Sequence, residues 1–184
     1  MSALVIVSAE DGVLDLSKIW PLALMRSVGE TVGKHLDEPE VRLLMRNGPR
    51  AGLKALLGPG SGRLAYDIFT RRYLELVQRS QVVIPGMAER LGRRRDAGAQ
   101  VVAVSALNRR PLARSLWLAG LSELVNLAFS EEDLPDCPPD PSILLRVLGR
   151  TGTKDSEAVF YSDHVLWRVA GERGGLAVQP VSAL

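Results

Sequence analysis

Four apolar residues in unbroken succession, Leu4-Val5-Ile6-Val7, lead straight into Ser8-Ala9-Glu10-Asp11-Gly12-Val13-Leu14-Asp15. A short run with no polar face belongs to a strand that is covered on both sides. This places it inside a parallel sheet flanked by helices, not in a half-exposed antiparallel one. The polar, glycine-containing stretch after it then lies at the strand's carboxyl end, where open α/β sheets bind their ligands.

The rest of the chain repeats the pattern. Further strand-like runs are Gln100-Val101-Val102-Ala103-Val104-Ser105, residues 124–129, residues 157–161 and Leu176-Ala177-Val178. Helical patterns separate them. Residues 86–97 start after Pro85 and stop at Gly98, residues 110–120 carry Pro111 in the first turn and end on Gly120, and residues 141–148 open on Pro141 and close near Gly149. The alternation predicts a Rossmann-like, doubly wound parallel α/β sheet. Residues 16–82 break it. They hold helical patterns over 18–34, 39–46, 50–57 and 62–80, with no clear strand, and read as an inserted all-helical cap. The α/β core then comprises residues 1–15 and 83–184. Residues 133–141, rich in proline and aspartate, read as a loop.

With 46% hydrophobic and 24% charged residues, the composition is that of a globular domain, and a net charge of +2 argues against a nucleic-acid partner. No apolar run is long enough to span a bilayer, and the opening MSALVIVSAEDG is too short in apolar residues and too poor in bases for a signal peptide. A single cysteine, Cys137, provides neither an internal disulfide nor a cysteine-rich metal site. The expectation is a cytoplasmic protein with no membrane association.

Taken in order, five segments carry a resemblance. SAEDGVLD follows a buried strand, and QVVIPGMAERLGRRRDAGAQVVAVSA ends on Ser105. NRRPLARSLWLAGLSELVNLAFSEED, CPPDPSILLRVLGRTG and EAVFYSDHVLWRVAGERGG follow. Together they resemble the motifs of the haloacid dehalogenase-like (HAD) hydrolases, and most closely the phosphoglycolate-phosphatase-like branch with a helical cap. In that family an aspartate attacks the phosphoryl group, an acid two residues later moves the proton, and carboxylates hold Mg²⁺.

Residue by residue, the resemblance implies that Asp11 is the general acid and base. Ser105 is the hydroxyl that contacts phosphate, and Asp163, with Asp11, marks a weak or vestigial Mg²⁺ site. It also exposes losses. Ala9 stands at the nucleophile's position, Pro138 at the lysine's, Ser162 before Asp163 where the family has glycine, Val13 where it has threonine, and Trp167 where a second acid is expected. Loss of a nucleophile costs on the order of 10⁶ in turnover. The expectation is a catalytically degenerate protein that binds or regulates, recognising an anionic small molecule or a protein partner. Two alternatives stand beside it: an active Mg²⁺-dependent hydrolase using Asp11 or Glu10, and a structural or oligomeric role.

Each site residue also admits a plainer reading. Asp11 suits a turn before Gly12, Ser105 suits a cap on the turn after its strand, and Asp163 suits a helix N-cap. Strand alternation turns Glu10 away from the side of Ala9 and Asp11. Ser8 reads as a buried hydroxyl bonded to backbone, and His164 as a surface or loop histidine. Cys137 has no histidine nearby in sequence. Gly58-Pro59-Gly60-Ser61-Gly62 lacks the ending of a phosphate loop and reads as a turn. The Arg42, Arg46, Arg50, Lys54 series is broken by Gly48-Pro49, and Arg93-Arg94-Arg95 reads as a solvated helix face. Trp117 and Trp167 are expected in the core. Trp20 is expected in a crevice, a hinge or a partner interface.

Overall fold

The computed structural model describes residues 3–133 and 139–184. In chain order the elements are β1 (Leu4–Ser8), α1 (Ile19–Val32), α2 (Glu38–Arg46), α3 (Pro49–Leu57), α4 (Pro59–Gln78), α5 (Met87–Asp96), β2 (Gln100–Val104), α6 (Arg109–Leu118), β3 (Leu127–Phe129), α7 (Pro141–Thr151), β4 (Ala158–Tyr161), α8 (Val165–Arg173) and β5 (Ala177–Gln179). The chain divides into two compact units, Met1–Asp15 with Val82–Leu184, and Leu16–Gln81.

In the first unit all five strands are parallel, in the order β3-β2-β1-β4-β5. The chain winds outward from β1 through β2 to β3, then returns to the other side of β1 for β4 and β5. This reversal between β1 and β4 is the switch point of a doubly wound sheet, where a crevice opens beyond the strand ends. Every residue of β1 is buried, as its unbroken apolar run requires. Leu4 and Ile6 point to a core shared with Val102, Val104, Phe160, Ile143 and Leu144 of α7, and Trp167 and Ala170 of α8. The alternate residue of β4, Tyr161, faces α5 instead: its hydroxyl takes a hydrogen bond from Arg94 Nη2 at 3.0 Å, and the guanidinium sits 5.5 Å from its ring centroid. Helices therefore cover both faces. Close packing of α8 on the sheet depends on Gly171, where a Cβ would lie 2.6 Å from both Phe160 and Val178.

Strand ends differ from expectation where local hydrogen bonds capture the amides. Leu124 and Val125 are apolar, yet both N–H groups donate to the Leu121 carbonyl (3.0 and 3.1 Å), so β3 begins only at Leu127. Glu157 belongs to a 3₁₀ turn, Asp155–Glu157, and β4 starts after it. Trp117 corrects another expectation: it is 59% exposed, and the Arg114 guanidinium, three residues earlier, lies over its ring at 4.2 Å. Trp167 is fully buried.

The second unit is all helical. Asp37 caps α2 through a capping box with Glu40, and Gly48-Pro49 separates α2 from α3, so the Arg42–Lys54 series does not share one helix. The 58–62 segment departs from the turn expected there, because Gly58 alone makes the turn and α4 begins at Pro59. Helices α1 and α4 are joined by Phe69, which stacks on Tyr66 and Tyr73 and meets Trp20 edge-on at 6.5 Å. A bidentate ion pair, Arg72 to Glu30 at 2.6 and 3.0 Å, lies between the same two helices. Trp20 is thus a core residue of the helical unit, 3% exposed, not a crevice residue.

Candidate functional site

The strands end in register. Ser8 pairs with Val104, Val104 with Phe129, and Tyr161 with Gln179. The loops that follow therefore leave from one edge of the sheet. Ser8 closes β1, while Ser105, Ser130 and Ser162 immediately follow β2, β3 and β4, and all four are fully buried. Ser130 is held by Asp133, whose Oδ2 accepts from both its N–H (2.7 Å) and its hydroxyl (2.8 Å).

After Ser8 the chain leaves the extended conformation at once. Val13 N donates to the Ser8 carbonyl (3.1 Å) and Leu14 N to the Ala9 carbonyl (2.9 Å), which curls residues 9–14 into a compact turn. Asp11 takes φ 50°, a left-handed conformation that aspartate tolerates better than most residues. Gly12 is obligatory for a different reason: a Cβ there would lie 2.0 Å from the Ser8 carbonyl oxygen. The Ser8 hydroxyl is bonded to backbone as expected, 2.9 Å from the Glu10 carbonyl oxygen, and it also lies 2.7 Å from the Ser162 hydroxyl. Ser162 Oγ in turn accepts from His164 N (3.2 Å), where α8 begins.

Glu10 overturns the reading that set it apart from the site. Alternation does send it to the side opposite Ala9, but that side holds Ser105 and Trp167. Only 3% exposed, its Oε1 accepts the Ser105 hydroxyl and the Ala106 N–H (3.1 Å), and its Oε2 accepts the Trp167 indole N–H (3.0 Å). Ser105 Oγ itself accepts from Leu107 N at 3.0 Å, so the hydroxyl both secures the turn after β2 and donates to the Glu10 carboxyl. Burial raises the Glu10 carboxyl from its ordinary 4.5 to about 7, against the opposing pull of its donors.

Asp11 and Asp163 lie on adjoining loops, with Asp163 N donating to the Asp11 carbonyl at 3.2 Å. Asp11 is half-buried. Its carboxyl is raised, first by burial and then by the charges of Asp15 and Asp163, while His164 acts the other way. His164 is a loop histidine as expected, but partly buried. Burial lowers its imidazole against the pull of Asp11, and its Nδ1 has no hydrogen-bond partner among the described residues. Asp163 is exposed and does not cap α8, whose N-cap is His164; its Oδ1 accepts from Val181 N at 3.2 Å. The sequence reading missed His164 as a neighbour of Asp11. The signal available was its place directly after the motif aspartate. Pro138 and Cys137 fall among residues 134–138, outside the described residues.

The fit to Mg²⁺ is decided by the donor set. Magnesium requires a near-octahedral oxygen shell, anchored by one or two carboxylates. Ala9 is fully buried and brings no oxygen, while the Asp11 carbonyl and Asp163 Oδ1 each accept a backbone N–H, from Asp163 and Val181. Among the described residues no three His, Cys, Asp or Glu side chains group as a metal site. These residues do not fit the metal that the resemblance implies.

No protein-family model and no curated protein matches the sequence. Solved structures do match. CbbY from Rhodobacter sphaeroides, in complex with xylulose-1,5-bisphosphate, superposes with TM-score 0.88 at 15% identity, over 98% of this chain and 86% of that one. A HAD-superfamily hydrolase of subfamily IA from Geobacter sulfurreducens matches with TM-score 0.67 at 21% identity, over 96% and 86%. A haloacid dehalogenase-like hydrolase from Streptococcus pneumoniae matches with TM-score 0.76 at 11% identity, over 96% and 83%. The similarity spans nearly the whole chain, helical unit included, and establishes that the fold is that of the haloacid dehalogenase-like hydrolases.

Proposed function

We propose that this chain, built on the haloacid dehalogenase fold, is a cytoplasmic protein that does not perform aspartyl-phosphate chemistry and acts by binding. Its ligand on this reading is an anionic small molecule or a protein partner. The observation that carries the reading is the commitment of the Ser105 hydroxyl to Glu10, at the end of a strand whose neighbouring strand is followed by Ala9-Glu10. A phosphoryl group arriving there would meet a carboxylate in possession of the donor, and no carboxylate in position to attack. Glu10 cannot replace the missing nucleophile. Its oxygens are buried and bonded, and exposing one would strip a charge of its partners.

A second reading, an atypical hydrolase working through Asp11, draws on one observation: the half-buried Asp11 carboxyl lies beside His164, with its proton affinity raised. Mg²⁺-dependent hydrolysis of p-nitrophenyl phosphate and a panel of sugar phosphates separates the two. The proposal expects no turnover above buffer. Turnover that disappears in Asp11→Asn would overturn it in favour of the second reading.

A further inference from the structure

Three hydrogen-bond donors from two separate segments converge on one point inside the α/β unit. The Ser105 hydroxyl and the Ala106 N–H come from the turn after β2, and the indole N–H of Trp167 comes from α8. None can turn elsewhere. Ser105 Oγ accepts from Leu107 N at 3.0 Å, which leaves its proton directed at Glu10. Trp167 is fully buried and braced edge-on against Phe160 at 6.2 Å. The amide of Ala106 is fixed by the backbone. Donors preorganised in this way, and shut away from water, are satisfied only by an acceptor of matching shape such as a carboxyl group.

We infer that Ser105, Ala106 and Trp167 form an oxyanion-binding cradle that the chain fills with its own Glu10 carboxylate. It accepts an external small carboxylate only when that side chain is removed. The inference rests on the hydrogen bonds around Glu10 and not on the loss of catalysis, since a protein without turnover can still bind phosphate. Truncating Glu10 at Cβ removes the carboxylate and leaves three buried donors unsatisfied, a penalty that an incoming anion relieves. The space freed is that of a short carboxylic acid, so formate and acetate match it better than phosphate.

The test compares wild type and Glu10→Ala by thermal unfolding and titration calorimetry with sodium formate, acetate, phosphate and, as the ionic-strength control, chloride. The expected result is saturable stabilisation of Glu10→Ala by formate or acetate, none in wild type, and none from chloride. Adding Ser105→Ala to Glu10→Ala should weaken the carboxylate affinity about tenfold, the loss of one charge-assisted hydrogen bond. Equal responses in wild type and variant, or a folded Glu10→Ala protein indifferent to carboxylates, would overturn the inference. If Glu10→Ala does not fold, the wild-type protein decides alone, through the Trp167 indole N–H resonance. It should stay unmoved by acetate and phosphate; a saturable shift means the cradle is open and the inference fails.

Discussion

The Glu10 carboxyl should make this protein lose stability as pH rises through neutrality, and Glu10→Gln should remove that loss. The unfolded chain ionises this group near 4.5, whereas burial holds the native carboxyl at about 7. Below about pH 4.5 both states are protonated, and the group exerts no pH-dependent penalty. Between the two values the unfolded state releases its proton while the native state keeps it. Unfolding is then favoured progressively, and the full penalty is in place above about 7. A displacement from 4.5 to about 7 corresponds to about 3 kcal/mol. Set against a typical total stability of about 5–15 kcal/mol, that is a large share. Urea unfolding at roughly pH 5 and pH 8, followed by tryptophan fluorescence, reads it as a fall in midpoint of about 1–2 M for m near 2 kcal/mol per M. Burial also raises the Asp11 carboxyl and lowers the His164 imidazole from their ordinary values, so the quantity of interest is the difference between wild type and Glu10→Gln. The amide sets a constant offset, because its NH₂ faces the indole donor, but it carries no slope of its own. If both proteins lose the same stability between the two pH values, Glu10 is not the buried, proton-retaining group described here.

Three further outcomes follow from the packing around the site. Ala9→Asp should restore no substantial phosphatase activity, since the Ser105 donor stays with Glu10 and Pro138 stands where the family's lysine would; strong rescue in a hydrolysis assay would refute this. Trp167→Phe removes a buried N–H from a carboxylate and leaves a small void, and should cost about 2–4 kcal/mol in chemical denaturation, with a loss below about 1 kcal/mol counting against the contact. Gly12→Ala places a methyl group 2.0 Å from the Ser8 carbonyl oxygen, so the turn must open, and a drop in melting temperature of more than about 6 °C is expected.

Much of the fold was legible because its elements announce themselves locally. A strand buried on both faces has no polar side to hide, so the residues of β1 and β2 stand out in sequence, and prolines and glycines mark most helix boundaries. Legibility failed where a neighbour, not the residue itself, decides the outcome. Leu124 and Val125 look like strand, but the Leu121 carbonyl holds both amides in a turn. Trp117 looks like core, but Arg114 covers its ring at the surface. At the site, alternation gave Glu10 the correct side of the strand and the wrong significance. Nothing in the local sequence discloses that Ser105, 95 residues away, and Trp167, 157 residues away, donate to it there. The sequence pattern places Trp167 in the core and at the position of a missing acid, but does not disclose what its indole N–H meets. In the folded chain it donates to the carboxylate that now holds Ser105.

The most direct measurement is a crystal structure of the protein soaked in phosphate and Mg²⁺. The account predicts the Glu10 carboxylate on Ser105, Ala106 and Trp167, with no phosphate within hydrogen-bonding distance of Ser105. Phosphate bound to Ser105, with Glu10 displaced and Mg²⁺ held between Asp11 and Asp163, would contradict it.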